Sequence, residues 1–230
     1  LMVFVVAEIG VNWNGDLEIA EKMMNQAKDA NCDAVKFQAF NDEIVKDHPQ
    51  KDRLLSCSIS QKNIKQIDQI AKKVGIEWFC TPMYYEAIKM LNPFVKRFKI
   101  RERDGRPLLE NKSTKLLKEV FESKKEVIIS SEKSTKNLGI NKINNIKWLY
   151  CIPKYPCPFK ELKFEVLKDF DGFSNHCNLI KAPIEAVKNG AKIIEIHTTV
   201  DKSKDFFDNN VSFDENELQE IVKQIRAIKK

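Results

Sequence analysis

Two of the three histidines, His176 and His197, each close a short apolar run: Phe173-Ser174-Asn175-His176 and Ile194-Glu195-Ile196-His197. If those runs are neighbouring strands they lie ~4.8 Å apart, close enough for two imidazoles to share one divalent cation. Two histidines do not complete a coordination shell, so waters, Glu8 or a substrate oxygen would supply the remaining donors. The competing reading is a pair of imidazoles hydrogen-bonded within a polar cavity mouth.

Two lysines sit in comparable positions. Lys36 follows Asp33-Ala34-Val35, and Lys99 follows Phe98. An ammonium group in or at the end of a buried strand needs a partner, because an unpaired buried charge is costly. A phosphate or carboxylate would serve, with Thr81, Ser130 and Ser174 adding hydroxyl donors. Internal ion pairs to Glu8, Glu195 or Glu102 are the alternative, and either lysine could instead form a Schiff base.

These residues punctuate a repeat. Eight apolar runs end at Glu8, Lys36, Thr81, Lys99, Ser130, Lys154-Tyr155, His176 and His197. The runs are continuous rather than alternating, as expected for parallel strands covered by helices. Helical spacing or helix signals fall between them, at 17–27, 60–74, 84–91, 114–123, 136–144, 162–167, 179–189 and 214–228. Asp16 is placed to cap the first helix and Gly75 to end the second. Residues 41–60 lack clear periodicity and predict a long functional or mobile loop. Lys154-Tyr155-Pro156-Cys157-Pro158 must be extended, since two prolines exclude regular helix.

Strand, reactive residue and helix repeated eight times predict an α/β fold, a (β/α)8 TIM barrel whose C-terminal rim carries the site. No Pro-, Gly- or Ser-rich linker divides residues 1–230, which predicts a single domain. The net charge of +6 is spread along the chain, with pairs such as Lys124-Lys125 and Lys229-Lys230 at helix ends. That pattern predicts a solvated lysine-rich surface rather than a nucleic-acid patch. None of the six cysteines forms a Cys-x-x-Cys pair, which argues against a zinc ribbon. With no secretory segment and no disulfide framework, a soluble protein of the reducing cytoplasm is expected, without a membrane partner.

Beyond the spacing, an ordered set of motifs carries a resemblance. Glu8-Ile9-Gly10-Val11-Asn12-Trp13-Asn14-Gly15 resembles the Glu-Ile-Gly-x-Asn-His-x-Gly opening of sialic acid synthases. Asp33-Ala34-Val35-Lys36-Phe37-Gln38 is similar to their second strand. Thr81-Pro82, Lys99-Ile100, Tyr155-Pro156-Cys157-Pro158, Ser174-Asn175-His176 and Glu195-Ile196-His197 follow in the family's order, so the resemblance runs from residue 3 to about 228.

The resemblance implies condensation of phosphoenolpyruvate with the open-chain aldehyde of an N-acylated amino sugar, giving a nine-carbon 2-keto acid and phosphate. It implies a manganese or magnesium ion held by His176 and His197, acting on the aldehyde oxygen as a Lewis acid. Lys36, Lys99, Ser130 and Ser174 match positions that bind phosphoenolpyruvate; Gln38 and Thr81 fall in the same substrate-binding motifs. Glu8, Tyr155 and Asp208 match positions near the metal or the sugar, and Asp104 matches the acid/base glutamate. The partners implied are the two small-molecule substrates, with a homodimer in which a C-terminal antifreeze-like domain reaches the other active site. That domain is expected to be missing here.

Several positions depart from the family's pattern. Its strand-four motif, Lys-Ile-x-Ser-x-Glu, is Lys99-Ile100-Arg101-Glu102-Arg103-Asp104 here. A phosphate-binding serine thus becomes Glu102, the acid/base glutamate becomes the shorter Asp104, and Arg101 and Arg103 are added cations. Trp13 stands in place of a histidine, Tyr150-Cys151-Ile152 in place of His-Cys-Thr, and Ser130-Ser131-Glu132 in place of Ser-Thr-Gly. An aldol-type enzyme with another anionic acceptor, or a non-catalytic ligand-binding barrel, are the alternatives these changes leave open.

Overall fold

The computed structural model describes residues 2–142 and 145–228, so Lys229 and Lys230 lie outside it. Eight parallel strands close a barrel in sequence order. They are β1 (Phe4–Gly10), β2 (Ala34–Ala39), β3 (Glu77–Pro82), β4 (Arg97–Ile100), β5 (Glu126–Ser131), β6 (Ile146–Tyr150), β7 (Gly172–Asn175) and β8 (Ile193–His197). Pairing of β8 with β1, from Phe4↔Ile193 to Glu8↔His197, completes the cylinder and removes any free sheet edge. This is the (β/α)8 architecture expected from the repeat.

The helices form where caps and apolar stripes coincide. In α1 (Leu17–Asp29), Asp16 accepts hydrogen bonds from the amides of Glu18 and Ile19, and Ala20, Met23, Met24 and Ala27 face the barrel. Two short helices follow β2, α2 (Asp42–Val45) and α3 (Lys51–Ser56). In α4 (Ile64–Val74), Ile64, Ile67 and Ala71 are buried, and Gly75 ends the helix at φ +76°, a conformation that suits glycine. Next come α5 (Glu86–Leu91), α6 (Glu102–Gly105), α7 (Lys115–Glu122), α8 (Lys181–Lys188) and α9 (Glu215–Ala227). The last opens on a reciprocal capping box between Asp214 and Glu217.

Four expectations need correction. Residues 41–60 are not structureless: the Asn41 side chain caps α2, and both helices there are too short for a periodic signal. Residues 136–144 form no α-helix. A 3₁₀ turn spans Gly139–Lys142, and the Asn141 amide is engaged by the Thr135 carbonyl and the Trp148 indole, bonds that compete with a helix. Ile143 and Asn144, the end of that expected helix, lie outside the described residues. The segment expected to be a helix over 162–167 is instead a 3₁₀ helix, Phe164–Asp169. Finally, β4 begins at Arg97 rather than Phe94, because the amides of Phe94 and Val95 close the end of α5 on the Leu91 carbonyl.

Between strands and helices lies the main apolar core, with Val5, Phe37, Phe79, Phe98, Ile129 and Ile194 fully buried. Trp13, which replaces the family histidine, belongs to it. Its ring meets Phe37 edge-on at 5.9 Å and its indole N–H donates to the Cys57 carbonyl at 2.9 Å. A satellite cluster of Val11, Phe40 and Cys57, packed by Val45, Leu54, Met83 and Phe207, sits above β1 and β2. No described helix is long and apolar enough to cross a membrane.

Candidate active site

Side chains two positions apart on a strand point the same way. That period brings Lys36 and Gln38, Lys99 and Arg101, Ser174 and His176, and Glu195 and His197 to the inner face of the barrel. Register aligns neighbours as well: Glu8 stands beside Lys36 and His197, Gln38 beside Thr81, and Ser174 beside Glu195. The result is a cavity at the C-terminal mouth. Its lining includes Glu8, Lys36, Gln38, Thr81, Lys99, Ser130, Tyr155, Ser174, His176 and His197. A wider chamber opens above it, walled by the satellite cluster, α2, α3 and Asp208.

The deepest layer is ionic. Lys36 Nζ donates to Thr81 Oγ1 at 2.6 Å and lies 3.1 Å from Glu8 Oε2 and 3.6 Å from Glu195 Oε2. Lys99 Nζ and Ser174 Oγ both donate to Glu195 Oε1 at 3.0 Å, and Gln38 donates to Glu8 Oε1 at 2.8 Å. Two ammonium groups therefore face two carboxyl groups, all at most 4% exposed. Both the ion pairs and the anion-binding reading of the lysines are thereby compatible with the geometry. Glu195, named from sequence only as a possible internal partner, is the hub of the layer.

Burial and charge divide these groups. Desolvation pushes Glu8 up to about 7 against the opposing pull of Lys36. Glu195 is just as buried, but two ammonium groups outweigh desolvation and hold it well below the usual carboxylate range. Burial lowers Lys99, whereas for Lys36 the two carboxylates outweigh burial and raise it.

Above this layer the histidine rings lie 5.5 Å apart between centroids, and the Tyr155 ring covers the pair at 4.0 Å from His176 and 5.9 Å from His197. Burial lowers His176 to about 4 and His197 well below its ordinary value, so both are neutral near pH 7. His176 Nδ1 donates to the Ile152 carbonyl at 2.8 Å, which leaves Nε2 as the nitrogen with a free lone pair. His197 Nδ1 faces Asp208 Oδ2 at 3.7 Å, and burial raises that carboxyl to about 6. Neutral imidazoles, one held by a backbone carbonyl and the other facing a carboxylate, are donors a divalent cation can use. They fit such an ion as two nitrogen ligands. Among the described residues no group of three or more His, Cys, Asp or Glu side chains is arranged to hold one, so oxygens from solvent or substrate would complete the shell.

Gly10 makes room for this convergence. It takes φ +55°, and an added Cβ would meet Glu8 Oε1 at 3.0 Å and Gln38 Nε2 at 3.2 Å.

The strand-four departures are resolved by geometry. Glu102 does not face the cavity: Arg106 Nε lies 2.9 Å from both of its carboxylate oxygens, drawing it outward. Asp104 also stands outside the cavity lining, bound to Arg101 through Nε–Oδ2 at 2.5 Å and Nη2–Oδ1 at 3.2 Å. Arg101 itself lines both chambers, whereas Arg103 is exposed. Sequence reasoning did not place Cys151, a buried thiol 3.6 Å from His176 Nδ1, in the cavity wall. It also missed His48, which lines the outer chamber.

Comparison with known proteins agrees with the motif order. An uncharacterized protein of Methanocaldococcus jannaschii is 32% identical over 99% of this chain and 71% of its own length. The N,N'-diacetyllegionaminic acid synthase of Campylobacter jejuni is 30% identical, covering 98% of this chain and 76% of the relative. The crystal structure of N-acetylneuraminic acid (sialic acid) synthetase from Leptospira borgpetersenii superposes with a TM-score of 0.86 at 28% identity, over 98% of this chain and 83% of that one. The NeuB family pattern matches residues 23–230. With that match across most of the chain, the protein belongs to the NeuB family.

Proposed function

We propose that the protein condenses phosphoenolpyruvate with the aldehyde of an N-acyl hexosamine to give a nonulosonic acid and phosphate. The observation that carries this reading is the convergence of two ammonium groups, three hydroxyls and two neutral imidazoles on one cavity at the strand C-termini. It is supported by the names of relatives, which make legionaminic and sialic acids.

In this reading Lys36, Lys99, Ser130 and Ser174 hold the carboxylate and phosphate of the donor, with Gln38 and Thr81 orienting Glu8 and Lys36. His176 and His197 would hold a manganese or magnesium ion, which would supply Lewis-acid polarisation of the aldehyde oxygen. Tyr155 and Asp208 border the acceptor chamber. The donor's C3 attacks the aldehyde carbon, forming the new C–C bond while the aldehyde oxygen gains a proton. Water adds at C2, losing a proton. The C2–O bond to phosphate then breaks as the C2 hydroxyl gives its proton to the departing phosphate, releasing inorganic phosphate and leaving a 2-keto acid. Glu8, raised toward neutrality by burial, would exchange one of these protons. Asp104 acts on this chemistry only through Arg101.

Release of inorganic phosphate from phosphoenolpyruvate, with a panel of N-acyl hexosamines and Mn²⁺, tests the proposal. Acceptor-dependent release with a stoichiometric 2-keto acid is expected. No release with any member of the panel would overturn it.

A further inference from the structure

We propose that Arg101, held by Asp104, is the anion-seating cation of this site and binds the phosphate of the donor together with Lys99 and Ser130. This inference rests on the reading of the cavity as a phosphoenolpyruvate site and adds a residue that the strand-four motif of its relatives does not supply.

Three observations carry it. The first is the charge balance of the cavity. Lys36 and Lys99 are already faced by Glu8 and Glu195. Arg101 is the further side-chain cation that lines the cavity, and its own partner, Asp104, stands outside that lining. The second is an unpartnered group. Ser130 is 2% exposed, lines the cavity, and its hydroxyl has no hydrogen-bond partner among the described residues. Pairing of β4 with β5 ends at Ile100↔Ile129, Arg101 and Ser130 are the residues that follow, and both line the same cavity. A buried hydroxyl beside a guanidinium at a cavity wall is a seat for an oxyanion.

The third is the clamp. Asp104 engages Nε and Nη2 of Arg101. A guanidinium carries five N–H donors in a rigid fork, so three remain once the two bonds to Asp104 are made. The fork is thereby oriented before any ligand arrives. Because Asp104 stands outside the cavity lining, it orients the cation without presenting its own charge to the anion. Asp104 is a positioning residue. Glu102, drawn onto Arg106, leaves the seat clear of a second carboxylate.

Calorimetric titration of the full chain with phosphoenolpyruvate and with inorganic phosphate provides the test, alongside steady-state kinetics. Arg101→Gln should weaken phosphoenolpyruvate binding by about 10–100-fold, the loss of charge-assisted hydrogen bonds to a phosphate. KM for the donor should rise correspondingly, while KM for the acceptor stays within about twofold. Arg101→Lys should recover part of the affinity, and Asp104→Asn should raise the donor KM by less than Arg101→Gln does. Arg103→Gln, at an exposed position, should behave as the unaltered protein. Thermal melts confirm that each variant is folded, and Arg101→Lys keeps the test open if Arg101→Gln is not. Unchanged donor affinity in folded Arg101→Gln, or a rise confined to the acceptor KM, would overturn the inference and leave the proposed reaction standing. Failure of the unaltered protein to bind phosphoenolpyruvate would overturn both.

Discussion

Lys99 and Glu195 meet across the interior of the barrel. Nζ lies 3.0 Å from Oε1, although the two residues stand on β4 and β8, on opposite sides of the cylinder. The pair joins Lys36, Glu8 and Ser174 in one layer, so the site's charges also form part of the barrel's interior packing.

Removing Glu195 should therefore be costly. Glu195→Gln leaves two buried ammonium groups short of an anion, and a loss of about 3–5 kcal/mol is expected. Combining it with Lys99→Met should destabilise by less than the sum of the single changes, by about 1 kcal/mol or more. Urea denaturation of the three variants measures this, and strict additivity would show that the pair is not coupled.

Metal binding offers a second check. His197→Ala should abolish both turnover and Mn²⁺ binding, and Asp208→Asn should weaken Mn²⁺ by about 10–100-fold through the lost orientation of His197. Calorimetry reads both. A His197→Ala variant that binds Mn²⁺ as tightly as the unaltered protein refutes the ligand assignment.

Acid should destabilise the metal-free protein through His176. Burial holds this imidazole near 4 against an ordinary value near 6.5. Between those pH values the unfolded chain takes up a proton that the folded chain does not. The stability associated with His176 is thus complete above pH 6.5 and is lost as pH falls through about 4. The effect is on the order of 3 kcal/mol. Glu8 works the other way, its contribution being complete below its ordinary value of 4.5 and lost as pH rises through about 7. Comparison with His176→Gln therefore isolates the imidazole: the stability difference between the two proteins should shift toward the variant between pH 6.5 and 4. A pH-independent difference would contradict a buried neutral His176.

Close approach of β7 and β8 should be intolerant of any side chain at Gly172. An added Cβ would lie 2.1 Å from the Ile193 carbonyl oxygen, so the two strands must separate. Gly172→Ala should destabilise by about 1–3 kcal/mol. It should also weaken Mn²⁺ binding, since β8 ends in His197 and His176 follows β7. A thermal melt and a Mn²⁺ titration matching the unaltered protein would count against this.

The sequence by itself determined the order of strands, the barrel and the residues that punctuate its rim. Continuous apolar runs ending in Glu8, Lys36, Thr81, Ser130 and His197 reflect strand burial, which local composition encodes. Caps such as Asp16 and Asp214, and the stop at Gly75, are local too, because each acts within one turn of its helix. Other features depend on distant partners. The helical spacing of 136–144 yielded to bonds from Asn141 to Thr135 and Trp148, and the two short helices within 41–60 leave too little periodicity to detect. Glu195 was legible in sequence only as one of three possible partners for the lysines. Only closure of the barrel brings it against Lys36 and Lys99, because charges on opposite strands meet through the interior rather than along the chain. The direction of Glu102 and the clamp on Arg101 were likewise decided by tertiary structure. A motif of alternating charges specifies which groups are present, and the packing around α6 selects which of them face the cavity.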